Sequence, residues 1–206
     1  MPGLSLHTVA FVLLKRPPGD SFQTCTMFSA EHGNLLVLQR LPGKAKGGRP
    51  APLDLFDEAA LELESSNQGR TWFLREARLI TRFTGIGRSY DALRLASAFA
   101  ALIARNAVPE ESRAAVAELL RQALNAFGDS PRADIVYFKA VYCFGRDEGH
   151  PLKQHWLPTL SPPDRARVAL LLNRPLTEQT ASPDEVAHLQ ARLDAWLRGY
   201  TELLLD

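Results

Sequence analysis

The sequence predicts an α+β protein: a five-stranded N-terminal barrel followed by an all-α region, with the change near residue 84. Three observations carry this. The first 84 residues hold five short apolar runs rich in β-branched and aromatic residues. Turn signals separate these runs at intervals of about 8 to 12 residues. After Gly85-Ile86-Gly87 the apolar residues follow the helical period, and Ser-Pro pairs mark helix starts. The expected domains are therefore 1–84 and 85–206.

Thr8 to Leu14 is apolar and β-rich, and Arg16-Pro17-Pro18-Gly19-Asp20 ends it as a turn. Phe22 to Phe28 alternates apolar residues with Thr and Cys, and Glu31-His32-Gly33-Asn34 is the next turn. Leu35 to Leu41 is a third strand, followed by a Gly-, Pro- and Lys-rich linker from Pro42 to Pro52. Leu53 to Leu63 and Thr71 to Phe83 are the fourth and fifth strands, turned at Asn67-Gln68-Gly69. Five short strands fit a small closed barrel or a sandwich; closure favours the barrel because it removes exposed edges.

Ser89 caps a helix to about Arg105, with Leu93, Ala96, Phe99, Ala100 and Ile103 on one face. A second runs from Pro109 to a stop at Gly128, with Val116, Leu119, Leu120, Ala123, Leu124 and Phe127 in period. Ser130-Pro131 opens a third, through Tyr142, and Ser161-Pro162 a fourth. Ser182-Pro183-Asp184-Glu185 is a capping box opening the clearest helix. Its apolar stripe runs from Val186 to Leu204, as part of a core or as a self-association face.

With 46% apolar and 23% charged residues, the 206-residue chain is not a disordered, collagen-like or disulfide-scaffold sequence. Cys25 and Cys143 are the two cysteines, so no CxxC pair and no four-cysteine zinc site can form. They fit a reducing compartment. The longest apolar run, Val9 to Leu14, is far short of the roughly 20 residues of a membrane span. Lys15-Arg16 follow it, the wrong order for a signal peptide, so a cytoplasmic location without membrane contact is expected.

The net charge of +1 argues against a globally basic protein, but it conceals a pattern. Residues 1–88 carry 11 basic and 8 acidic side chains, and residues 89–206 carry 13 and 15. Arg40, Lys44, Lys46 and Arg49 stand in a stretch without an acid, and Arg70, Arg75, Arg78, Arg82 and Arg88 face Glu76 alone. A barrel with a flexible basic loop suits a phosphate backbone. Strand parity places Arg78 and Arg82 on one face and Arg75 on the other, which makes Arg75 the weaker contact. Phe22, Phe28, Trp72 and Phe73 are the aromatics that could stack on bases, although strand aromatics commonly fill cores; of the neighbours Trp72 and Phe73, one should face outward.

The sequence carries no recognisable catalytic motif. His150 and His155 lie near Asp147 and Glu148, but their spacing matches no helical pair and Pro151 interrupts it; a structured loop is the simpler reading than a metal site. Gly85-Ile86-Gly87-Arg88-Ser89 lacks the ending of a phosphate loop and reads as a hinge. No nucleophile elbow is present. Glu110-Glu111 and the acids from Asp54 to Glu64 read as solvated faces. A binding protein without cofactor is expected rather than an enzyme.

Ala10-Phe11-Val12-Leu13-Leu14 precedes Arg16-Pro17-Pro18-Gly19-Asp20-Ser21; then come Thr26-Met27-Phe28-Ser29-Ala30-Glu31-His32-Gly33, Pro42-Gly43-Lys44-Ala45-Lys46 and Pro52-Leu53-Asp54-Leu55-Phe56. In this order the first 56 residues resemble the N-terminal domain of the DNA repair protein RecO, and the helical remainder resembles that family in plan. Asp20 stands where the family usually has Glu, Ser29-Ala30 replaces its usual pair, and the four-cysteine zinc module of many members has no counterpart.

The resemblance implies an OB-fold barrel and a recombination mediator without catalytic turnover. Such proteins bind single- and double-stranded DNA, anneal complementary strands and help load the recombinase onto strands covered by single-strand-binding protein. Their partner is RecR. Carried onto this sequence, Lys44, Lys46 and Arg49 become phosphate contacts, with Arg40, Arg78, Arg82, Lys15 and Arg16 as further candidates. The rivals are a non-catalytic adaptor that binds a single-strand-binding protein, and an enzyme using His150, His155 and Glu148.

Overall fold

The computed structural model describes residues 4–41, 53–65 and 67–205. They form two compact units. One comprises Met1–Phe83 with Ala107–Ala117, and the other Thr84–Asn106 with Glu118–Asp206.

The first unit holds β1 (Leu4–Lys15), β2 (Phe22–Ser29), β3 (Gly33–Arg40), β4 (Glu58–Ser65) and β5 (Trp72–Thr81). They pair in the order β1-β2-β3-β5-β4 and close as a barrel. All neighbours are antiparallel except β3 and β5, which run parallel through Val37↔Trp72 and Leu38↔Phe73. Alternation makes the interior: Leu35 and Val37 point in while Asn34, Leu36 and Arg40 point out. Val12, Met27, Val37, Ala59, Leu63 and Trp72 fill the core. Of the neighbouring aromatics, Trp72 is therefore the inward one.

Three expectations about this unit change. The fourth strand begins at Glu58, not Leu53. Residues 54–57 form a turn, closed by Asp57 N–H to Asp54 O at 3.2 Å, with Phe56 at φ 69°. The turn is sewn to β1 by Phe56 N–H to Val12 O at 2.8 Å and Val12 N–H to Asp57 O at 2.9 Å. Leu53 still packs into the core. The acids here are not simply a solvated face: Asp57 and Glu58 are 1% and 3% exposed.

The third change concerns parity on β5. Its register against β4 shifts twice, between Glu58 and Ala59 and between Glu62 and Leu63. Each shift admits an extra β5 residue, and alternation fails there. Arg75 and Glu76 are consecutive and both exposed, as are Leu79 and Ile80. Arg75 consequently reaches Glu64 on the outer face instead of pointing away from Arg78.

Residues 107–117 belong with the barrel unit. Arg113 Nη1 donates to Glu31 O at 3.1 Å. Its side chain lies across Gly33, where φ is 67° and a Cβ would stand 3.1 Å from Nε.

The helical unit contains α1 (Tyr90–Arg105), most of α2 (Arg113–Asp129), α3 (Ala133–Asp147), α4 (Pro162–Asn173) and α5 (Pro183–Tyr200). Ser89 and Ser161 cap α1 and α4, and the Ser182–Glu185 capping box opens α5. Phe99, Phe127, Phe138, Phe144 and Trp156 are buried in this unit. The α5 stripe is core from Val186 to Leu197, while Tyr200 and Leu204 are exposed. α2 ends at Asp129, beside the stop expected at Gly128. The close approach there requires Gly85 to be small: a Cβ on it would stand 2.6 Å from Gly128 O. The third helix starts at Ala133, after Arg132 rather than at Ser130-Pro131. Both thiols are free. Among the described residues no helix is long and apolar enough to cross a membrane.

Candidate nucleic-acid interface

The β1–β2 turn, residues 16–21, and the β4–β5 turn are built by short polar contacts. Gly19 N–H donates to Phe22 O at 3.0 Å and Leu41 N–H to Ser21 O at 2.9 Å, which fixes the first turn against the end of β3. In the second, Ser65 Oγ accepts from Gly69 N–H at 3.0 Å and Asn67 Oδ1 accepts from Thr71 N–H at 3.0 Å. Gln68 and Gly69 take φ of 61° and 81°, the left-handed pair that a tight hairpin demands.

On the outer face by these strand ends lies a groove of about 340 Å³, lined by Phe22, Arg40, Glu64, Phe73 and Arg75 among others. Phe22 stands directly opposite Arg40 in the β2–β3 register. Phe22 and Phe73 meet edge to face, ring centroids 5.8 Å apart. Phe22 is 36% exposed and Phe73 half-buried. Arg75 Nε donates to Glu64 at 2.7 Å, and its Nη2 reaches the same carboxylate oxygen. Arg40 is exposed and has no ion-pair partner among the described residues.

A second outer groove, about 420 Å³, crosses β1, β4 and β5. His7, Glu62 and Glu76 stand in one row across the three strands. Glu31 and Arg78 also line it. Carboxylates therefore surround Arg78 and reduce the field it offers to a phosphate.

The sequence-predicted contacts are thus dispersed. Lys44, Lys46 and Arg49 lie outside the described residues. Lys15 Nζ donates to Leu53 O at 2.9 Å and approaches Asp54 at 3.4 Å, with its side chain 20% exposed. Arg82 forks onto Asp57 through Nε at 2.9 Å and Nη2 at 2.5 Å. That bond raises the Arg82 pKa, and the neighbouring Leu55 N–H, helped by Lys15, holds Asp54 below the usual carboxylate range. Both cations are already occupied in holding the 54–57 turn. Arg16 is exposed at the turn after β1, where its N–H donates to Thr24 O at 2.9 Å. Arg16 and Arg40 remain the basic candidates near the strand-end turns. Phe28 and Trp72 are core.

Reasoning from the sequence missed Arg75 and Glu64 as a pair. The available signal was the charged doublet Arg75-Glu76 inside an apolar strand, two like residues in succession as a bulge allows.

In the helical unit, burial pushes the His150 imidazole below its ordinary range. No group of three His, Cys, Asp or Glu among the described residues could hold a metal ion. An apolar cleft of about 200 Å³ is lined by Leu119, Ala123, Val136, Lys139, Cys143 and others. Burial raises the Cys143 thiol and lowers Lys139, whose Nζ donates to Arg174 O at 2.7 Å. A thiol raised in this way is a poor nucleophile.

No protein-family model matches the chain, and no curated protein matches it.

Proposed function

We propose that this protein binds nucleic acid through the barrel, and that within that class it is a RecO-like recombination mediator of DNA repair. One observation carries the reading: a closed five-stranded barrel in the order β1-β2-β3-β5-β4, with β3 and β5 parallel and a cationic, aromatic groove by its β1–β2 and β4–β5 turns. We read this barrel as an OB-fold, whose β2–β3 face and equivalent turns bind oligonucleotides. On this reading the protein binds single and double strands, anneals complementary strands and assists recombinase loading. A single-strand-binding protein and a RecR-like protein are its partners, and it works in the cytoplasm without turnover of a substrate.

The test is single-strand binding across a salt series. Binding should be independent of sequence, with log K falling by about 0.7 per phosphate contact against log salt. Replacing Lys44, Lys46 and Arg49 together by Ala should weaken it and flatten the slope; unchanged affinity and slope would remove the loop from the interface. Adding the complementary strand tests annealing.

The apolar cleft of the helical unit supports a second reading, the non-catalytic adaptor, because a small apolar pocket rimmed by Lys139 suits a peptide anchor. A chain that captures single-strand-binding protein but retains no bare DNA on a filter would favour it.

A further inference from the structure

We propose that the groove between Phe22 and Phe73 seats one unpaired nucleobase, and that Glu64 is its built-in competitor, holding Arg75 until a phosphate displaces it. This rests on the nucleic-acid reading of the barrel and adds to it a preference for unpaired bases and a residue that restrains affinity.

The placement argues for it in three ways. First, the barrel interior has room for an aromatic side chain, and Trp72 uses it. Phe22 and Phe73 are instead turned outward onto one groove, where their rings leave apolar surface in water. A base can cover such a surface through its π-face, whatever its sequence. A base inside a duplex cannot, since its faces are already stacked. Second, Arg40 lies directly across from Phe22, exposed, so a cation with no carboxylate partner among the described residues stands beside the apolar seat. That is the pairing of stacking surface and charge that a nucleotide needs. Third, Arg75 is brought to the same groove by the β5 bulge, yet its guanidinium is spent on Glu64. The pair is open to solvent, with side-chain exposures of 59% and 45%, so it is weakly held and exchangeable. A phosphate offers Arg75 two acceptor oxygens, where Glu64 supplies one. Glu64 must then be left facing the incoming anion, which lowers affinity and keeps the site reversible.

The experiment compares three probes of equal length by fluorescence anisotropy: oligo(dT), the same backbone with abasic sites, and a duplex. The abasic probe keeps the phosphates and removes the bases. Wild-type protein should bind oligo(dT) on the order of tenfold more tightly than the abasic probe. Phe22→Leu with Phe73→Leu keeps apolar bulk and removes both rings. This variant should lose that preference and keep its affinity for the abasic probe and the duplex. Glu64→Gln should tighten the abasic probe and steepen the salt slope by about 0.7, one phosphate contact. Equal affinity of wild type for oligo(dT) and the abasic probe, or a preference that survives the double variant, overturns the base seat. An unchanged slope in Glu64→Gln overturns the competitor role. Failure of wild type to bind any of the three probes overturns the nucleic-acid reading itself; salt-dependent binding without base preference leaves that reading standing and removes only the seat.

Discussion

In the barrel unit Thr8, Ser29, Gln39, Asp57, Glu58 and Ser65 are all buried, whereas in the helical unit Asn106 is the one buried polar side chain among the described residues. A helix satisfies its own backbone along most of its length. A small barrel must change direction between every pair of strands, and each turn leaves backbone groups that side chains have to satisfy. The contacts follow that rule. Asp57 Oδ2 accepts from Asp54 N–H at 2.7 Å, Ser65 Oγ serves the β4–β5 turn, and Ser29 Oγ accepts from Glu31 N–H at 3.1 Å. The helical unit depends instead on filled volume, through Phe99, Phe127, Phe138 and Phe144. One unit is held by polar geometry as well as by its core, the other chiefly by its core.

Tryptophan fluorescence can separate the two, since Trp72 lies in the barrel and Trp156 and Trp196 lie in the helical unit. The sharpest contrast comes from Phe138→Ala, which empties a fully buried ring site and should cost the helical unit about 4 kcal/mol in denaturant unfolding. Asp57→Ala should cost the barrel about 3 kcal/mol, although it removes little apolar volume, because it strands Arg82 and the Asp54 N–H together. A loss below 1 kcal/mol there would break the contrast. Gly85→Ala tests close packing in the helical unit: the new Cβ meets the Gly128 backbone, and about 2 kcal/mol should be lost.

Asn106→Ala is the helical unit's own polar test. Asn106 Nδ2 donates to Leu102 O at 2.6 Å and its Oδ1 accepts from Leu204 N–H at 2.9 Å, tying the C-terminal segment to the end of α1. About 1 kcal/mol should be lost, with greater hydrogen exchange near Leu204.

The smallest effect is the response to acid. His150 is depressed by burial, so the folded state binds its proton less readily than the unfolded state does. Its contribution is full above the ordinary value of about 6.5 and is lost as pH falls through the folded value. Asp54 is also lowered, chiefly by the Leu55 N–H, so its contribution holds above about pH 4 and is lost below. In a pH series the Trp156 and Trp196 signals should begin to lose stability near neutrality, and His150→Asn should remove that early loss. The Trp72 signal should hold until the carboxylates titrate.

How far the fold was legible depended on range. Turn chemistry and caps act over a few residues, so Arg16–Asp20, the Ser89 and Ser161 caps and the Ser182–Glu185 box were readable one by one. The start of β4 was not, because Leu53 continues the apolar run of a strand while the turn at 54–57 depends on β1 and on Arg82, far along the chain. Gly85 looked like part of a hinge because the Gly128 backbone it packs against is 43 residues later. The site suffered most. Counting basic residues found Arg40 and Arg78 alike, yet one stands beside two phenylalanines and the other among three glutamates.

By itself the sequence determined the change from strands to helices near residue 84, the number of strands, most helix starts and the excess of basic side chains in the first 88 residues. These follow from local periodicity, caps and composition. Only the tertiary structure decided the closing partner of β1, the bulges that turn Arg75 outward, and which aromatics and cations share a groove. Those depend on register, and register is set by pairing between residues distant in the chain, where a shift of one residue moves a side chain to the other face.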